Sequence, residues 1–311
     1  MKLTVIIPAK KNGELDILDS LRNQQEMPFQ VIVIRGSNPS KNRNRGIARA
    51  RGDFVAFTNA HSSFPNDWTL QIRNIFENCP NIDMIGGPQL TPKSNTGFGN
   101  ISGYAFSSLF GAWKLRKRYS PAKTMLDVDE TVLTSANLIC KKKVVDIVKF
   151  DEGIYPGEDP KFISDVKVAG FRIGYFPKII SYNKRRATVR GLIKQIFNYG
   201  KVRPQKESFF TTLKNPFFFG PSLFLLYLLF LVGLISISPS ITGNVVGGFE
   251  TGLSWLFLPL AFYILLALLF SLIDSAKNKD LKAIFILPFI YPMIHLSYGV
   301  GMVWGYLKKL K

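Results

Sequence analysis

Acidic residues and histidine are scarce in this chain. Against 40 Lys and Arg there are 21 Asp and Glu and only 2 His, a formal charge of +19 over 311 residues. Such a balance calls for an anionic partner: nucleic acid, anionic lipid headgroups or a phosphorylated substrate. Nucleic acid is the weakest of these, because no recognisable binding motif accompanies the charge. Cysteine is equally scarce. Cys79 and Cys140 form no C-x-x-C and have no His close in sequence, which argues against a zinc site or a disulfide and suits a reduced, cytosolic domain. A signal peptide is also missing: "LTVIIPA" is too short for an apolar targeting core and runs into Pro8, so the chain is expected to start as a folded cytosolic domain.

Charge itself disappears over one region. Between Lys214 and Asp274 the only charged residue is Glu250. A charge at the centre of a bilayer costs several kcal/mol, so the gap reads as membrane. Residues 216–236 and 253–273 are each about long enough to span, and 283–307 is a third apolar stretch interrupted by Pro288, Pro292 and His295. The 237–252 loop has no Lys or Arg and is expected outside, with Lys277, Lys279 and Lys282 inside. Three full spans would put the terminal "KKLK" outside, against that rule. Two spans and a Pro-broken re-entrant or interfacial segment would keep it inside. Both arrangements stay open at this stage.

The first two hundred residues alternate between strand and helix patterns. "KLTVIIPA", "FQVIVIRG", "DFVAFTNA" and "IDMIGGPQL" are β-rich apolar runs, and "ELDILDSLRNQQ", "NRNRGIARAR" and "DWTLQIRNIFENC" carry helical spacing. That alternation predicts a largely parallel α/β sheet, in which ligands bind beyond the carboxyl ends of the strands. Lys10, Arg35 and Asn59–His61 fall at those ends. Residues 93–126, rich in Gly, Ser and Lys, read as irregular. "TVRGLIKQIFNYGKVR", residues 188–203, puts Val189, Leu192, Ile193, Ile196 and Phe197 on one face, which suits an amphipathic helix on a membrane surface or a core-facing helix.

The pieces "VIIPA", "LRNQQ", "VIVIRGS", "NRNRGIARARGDFVAF", "TSANLICKK", "FDE", "GEDPKFISDVKVAGFRIGYFP" and "FNYGKVR", in that order, resemble an inverting family 2 glycosyltransferase of GT-A fold. Within the family the chain resembles the membrane-anchored, ExoA-like enzymes of polysaccharide synthesis. The resemblance implies a Rossmann-like mixed sheet, a cytosolic GT-A domain over 1–205 with 188–203 at the interface, and a membrane domain over 206–311. It implies a nucleotide-sugar donor, a lipid-linked or growing glycan acceptor, and anionic lipid around the anchor at the cytoplasmic face of the cell membrane.

By the same resemblance the general base is Asp159, second acid of "GEDP", with Glu158 beside it. A base must meet the acceptor hydroxyl on the face opposite the leaving group. Read without the family, Glu158 and Asp159 could simply cap the helix that follows. The "RN" of Arg43 and Asn44 matches a position near the donor, as do Pro8 and Asn137 of "SAN". The family's Asp-x-Asp, which holds a divalent metal, is here Asn59-Ala60-His61. Lys10 and Arg35 stand where the other two strands usually bring acids. A hard cation wants charged oxygen ligands, whereas Lys and Arg neutralise a diphosphate directly. Divalent Mn or Mg is therefore implied by the family and doubtful by the residues, with His61 a single weak ligand at most. The competing expectation is a catalytically silent scaffold or binding subunit with a degenerate metal site.

Overall fold

A computed structural model describes residues 1–206, 209–213, 215–237 and 254–309. The chain divides into two compact units, Met1–Arg185 and Arg186–Lys311.

In the N-terminal unit, β1 (Leu3–Ala9), β2 (Gln30–Arg35), β3 (Phe54–Thr58), β5 (Met84–Gly86), β7 (Met125–Leu126), β8 (Asn137–Lys141) and β9 (Ile173–Tyr175) form one sheet in the order β2-β1-β3-β8-β5-β9-β7. β1 runs parallel to β2 and β3, while β8 is antiparallel to both β3 and β5 and β7 is antiparallel to β9. The sheet is therefore mixed, as a GT-A fold requires. Three short strands, β4 (Ser62–Ser63), β6 (Gln89–Leu90) and β10 (Ser181–Asn183), make a second sheet.

The near-continuous apolar runs of the central strands follow from burial on both faces. Ile6, Val55 and Phe57 pack on one side with Leu138, Phe150 and Phe162; Val5, Ile7 and Ala56 pack on the other with Trp68, Ile72 and Ile85. Helices α1 (Ile17–Arg22), α2 (Pro39–Ile47), α3 (Trp68–Asn78), α4 (Gly97–Ser107), α5 (Leu109–Ala112), α6 (Lys142–Ile147) and α7 (Glu158–Val168) complete the unit.

Two local readings change. α2 begins at Pro39, ahead of the "NRNR" where the sequence suggested helix, because Asn38 accepts from the Lys41 N–H at 3.0 Å and Pro39 suits the first turn. Residues 93–126, expected to be irregular, contain α4, α5 and a 3₁₀ turn over Trp113–Arg118. α4 forms against its own Gly-rich composition because tertiary packing outweighs propensity. Ile101, Ala105 and Phe106 are buried, and a Cβ at Gly103 would meet Thr91 Oγ1 at 2.3 Å.

The C-terminal unit is helical: α8 (Val189–Lys206), α9 (Phe209–Leu213), α10 (Gly220–Ile237), α11 (Leu258–Asn278) and α12 (Lys282–Lys309). α8 lies in this unit, on the C-terminal side of the boundary at Arg185. α8 packs on α12 at backbone contact: a Cβ at Gly301 would lie 2.1 Å from Phe197 O, and one at Gly305 2.3 Å from Lys201 O. Leu192 and Ile196 are buried while Val189 and Ile193 remain exposed, so the apolar stripe is shared between a helix partner and the outside.

Segment 283–307 lies within one helix, α12, despite Pro288 and Pro292. Trp255–Asn278 and Lys282–Lys309 are long and apolar enough to cross a membrane, and Gly220–Ser236 is a shorter apolar helix. Most of the 237–252 loop that carried the outside assignment lies outside the described residues.

Candidate active site

The parallel pairing of β1 with β2 and β3 brings Pro8, Lys10, Arg35 and Asn59 to one edge of the sheet. Arg35 lies opposite Ala9, and its Nη1 donates to the carbonyls of Lys10, Lys11 and Gly13, each at 3.0 Å. It fastens the loop after β1. Lys10 is exposed. Beyond β3, the Ser62 N–H closes a turn on Asn59 O at 3.1 Å, and the His61 side chain is 59% exposed on that turn.

One cation reaches this turn that the sequence reading missed. β10 is antiparallel to β4 with Asn183 opposite Ser62, which carries Lys184 to His61. Lys184 Nζ and His61 Nδ1 each lie 3.6 Å from Asp16 Oδ2. The signal was not local: only the strand register makes positions 61 and 184 neighbours.

The acidic pair belongs to the same edge. β8 runs antiparallel to β3 with Asn137 opposite Thr58, so the residues just before β8 lie beyond the end of β3. Ser135, two residues before it, donates through Oγ to Asp159 Oδ1 at 2.5 Å and through its N–H to Oδ2 at 3.2 Å. Asp159 and Glu158 open α7, and Gly157 ahead of them has φ of 117°, a conformation that favours glycine. Its N–H donates to Glu158 Oε2 at 3.0 Å.

Behind the pair sits Arg43, 3% exposed, with Nη1 3.0 Å from Glu158 Oε1 and 3.7 Å from Asp159 Oδ1. Its guanidinium lies 5.1 Å from the centre of the Phe150 ring. Glu158 is 6% exposed; burial raises its carboxyl above the usual range, the Asp159 charge adds to that, and Arg43 opposes it. Asp159 keeps 25% of its side chain exposed. Asn44 donates to Phe150 O at 2.8 Å and Glu152 Oε1 at 3.0 Å and accepts from the Phe150 N–H at 3.0 Å. The "RN" pair thus holds the "FDE" segment and the acidic pair. Asn137 stands apart, 1% exposed, with Oδ1 taken by Trp68 Nε1 at 3.1 Å and Nδ2 by Ile179 O at 2.7 Å.

The family resemblance implies a divalent metal at this edge of the sheet. Near the Asn59–His61 turn the donors are one amide, one imidazole and the Asp16 carboxylate, which already has Lys184 beside it. Among the described residues no group of three or more His, Cys, Asp or Glu could hold a metal ion. The residues present do not fit a hard cation.

With this geometry in place, residues 5–147, a little under half of the chain, match the family model described as Glycosyl transferase family 2. No curated protein matches the chain in sequence. Among solved structures, the mannosyltransferase PcManGT from Pyrobaculum calidifontis in complex with GDP-Man and Mn²⁺ is 13% identical with a TM-score of 0.52, over 99% of this chain and 88% of that one. S. aureus TarS is 14% identical with a TM-score of 0.45, over 94% of this chain; this chain spans 55% of TarS. A shorter S. aureus TarS chain in complex with UDP-GlcNAc is 12% identical with a TM-score of 0.45, over 99% of this chain and 92% of that one. The fold is GT-A, and residues 5–147 resemble a family 2 glycosyltransferase domain.

Proposed function

We propose that this protein moves a sugar from a nucleotide-sugar donor to an acceptor hydroxyl with inversion at the anomeric carbon. The observation that carries the reading is Asp159: a partly exposed carboxylate at a helix start, oriented by two Ser135 hydrogen bonds at the sheet edge where β3 ends. The acceptor O–H proton passes to Asp159 as the oxygen forms its bond to the anomeric carbon. The bond from that carbon to the diphosphate breaks, and the nucleoside diphosphate leaves. Pro8, Lys10 and Asn59 form the donor side, and Lys10 and Lys184 supply positive charge toward the diphosphate.

A lipid-linked or growing glycan is the acceptor in this reading, met at the cytoplasmic membrane face, with 1–205 working outside the bilayer and 206–311 anchoring it. The two long apolar helices support that placement, and the apolar side chains exposed along α11, among them Phe262, Leu265 and Leu269, suit contact with lipid. The second reading, a silent scaffold, draws its support from Arg35, whose Nη1 is engaged by three carbonyls, and from the Asn59–His61 turn. Release of nucleoside diphosphate by the full chain in detergent, screened over UDP- and GDP-sugars, separates the two. Release that disappears in D159N supports the transferase. Binding without release for every donor supports the scaffold.

A further inference from the structure

We propose that Arg43 is a positioning residue for the acidic pair: its buried guanidinium holds Glu158 and, through it, sets Asp159 against Ser135, and it does not contact the donor. This rests on the reading of Asp159 as the base. The family resemblance pointed Arg43 at the donor, and its surroundings point elsewhere.

A buried guanidinium is costly unless charge and hydrogen bonds compensate it. Here the compensation comes entirely from the acid side. Nη1 reaches Glu158 at 3.0 Å and Asp159 at 3.7 Å, and the Phe150 ring covers the guanidinium at 5.1 Å. Nε is buried with no hydrogen-bond partner among the described residues. That ring is itself fixed, stacked on Phe162 at 4.1 Å and edge-on to Phe57 at 4.9 Å. At 3% exposure Arg43 has no open face for a ligand.

The asymmetry of the pair follows. Glu158 takes the shorter contact and is buried; Asp159 takes the longer one, keeps a quarter of its side chain exposed and receives both Ser135 bonds. One carboxylate anchors while the other stays available to a proton. The charged groups facing the pair are Arg43 from α2 and the two acids themselves from α7; Ser135 from the loop before β8 contributes only hydrogen bonds. Arg43 opposes the rise of the Glu158 carboxyl, so removing the cation lets Glu158 take up its proton at higher pH and loosens its hold on the geometry of Asp159.

The test compares R43M, R43Q and R43K with wild type, all as full chains in detergent; R43Q keeps a donor toward Glu158 and covers failure of R43M to fold. Three quantities are read: affinity for UDP and GDP, release of nucleoside diphosphate from UDP- and GDP-sugars against pH, and the infrared carboxyl titration, with E158Q and D159N locating the pair's bands. In the neutral variants nucleotide affinity should stay within about twofold. The pair's titration and the acid limb of the rate should both move up by about one pH unit or more. The turnover number should fall about 100-fold near neutral pH, the lower end of what a general base contributes, and R43K should recover most of it. A titration unchanged in the neutral variants overturns the proposal, whatever happens to the rate. So does a tenfold loss of nucleotide affinity with the acid limb unmoved, which would make Arg43 a donor contact. If instead D159N stays active while the neutral variants shift the titration, the base reading fails alone and the hold of Arg43 on the pair stands.

Discussion

The two halves of the candidate site are built in opposite ways. On the acid side, hydrogen bonds spanning more than 100 residues of sequence tie Arg43 of α2 to Glu158 of α7 and Asn44 of α2 to Phe150 and Glu152, and Arg43 and Glu158 are almost fully buried. On the strand-end side, Lys10 and His61 are exposed, and His61 meets its neighbour Asp16 only at 3.6 Å. The difference is physical. Orienting a base requires a fixed carboxylate, and fixing one takes buried partners. A mobile diphosphate is met well enough by long cationic side chains in water, which lose little by staying solvated. Under the proposed mechanism the site keeps its geometry where the proton would move and relaxes it where charge alone would be needed.

The sharpest way to break the comparison is D159N. If the acid side holds the base, nucleoside diphosphate release should fall by about 10²–10⁴, the range for general base catalysis, while donor affinity is retained. More than about a tenth of the wild-type rate, a loss of under ~1.4 kcal/mol, would remove Asp159 from that role.

Next in size is Asn137, which the family resemblance placed near the donor sugar and which is buried between Trp68 and Ile179. N137A leaves an indole N–H and a carbonyl unpaired, at about 1–3 kcal/mol for each buried group. Thermal denaturation should show a clear drop in melting temperature, with nucleotide affinity of the folded protein unchanged. A variant of normal stability that has lost affinity would return Asn137 to the donor side.

A third prediction sets the acidic pair against a charge cluster elsewhere in the same unit. Asp83 sits between Lys143 Nζ at 2.7 Å, Lys141 Nζ at 3.6 Å and the Arg172 N–H at 3.1 Å. Burial alone would raise its carboxyl, but these partners together hold it below the usual range. A lowered carboxyl contributes stability that is present above the unfolded value and is lost as pH falls through the folded one. Glu158, raised, has the opposite sign: its contribution is present below the unfolded value and lost as pH rises through the folded one. Melting temperature against pH should therefore flatten on the acid side in D83N and at the upper end of carboxylate titration in E158Q. The same change in both variants would show that the two sites do not differ.

The smallest effect belongs to His61. H61A should change donor turnover less than about twofold, with or without EDTA, because an exposed imidazole at this distance contributes little. H61D should raise the dependence on divalent metal, with Mn²⁺ and Mg²⁺ compared side by side. Complete loss of wild-type turnover in EDTA, restored equally by both ions, would show that carboxylates elsewhere bind the metal.

Much of the architecture could be read from pattern. The apolar runs of β1, β2 and β3 are strands because both their faces are covered, and the charge gap from Lys214 to Asp274 leads to helices suited to a bilayer. α4 was not legible: "GFGNISGYAFS" has low helix propensity, and its helix depends on Ile101 and Phe106 finding a core. The continuity of α12 through two prolines was equally hidden, and so was the attachment of α8 to it, which depends on Gly301 and Gly305 admitting a neighbouring backbone.

The site divides along the same line. The sequence by itself determined which chemical groups are available: an acid pair at a helix start, an arginine and asparagine after the second strand, and amide and imidazole where carboxylates would grip a metal. Composition and short motifs carry that information because they are local. Only the tertiary structure decided what each group faces. It set Arg43 against Glu158 and Asn44 against Phe150 and Glu152, sealed Asn137 behind Trp68, engaged Arg35 in holding a loop, and brought Lys184 to His61 and Ser135 to Asp159. Those pairings rest on strand register and helix packing between segments far apart in the chain, and no local pattern of residues encodes them.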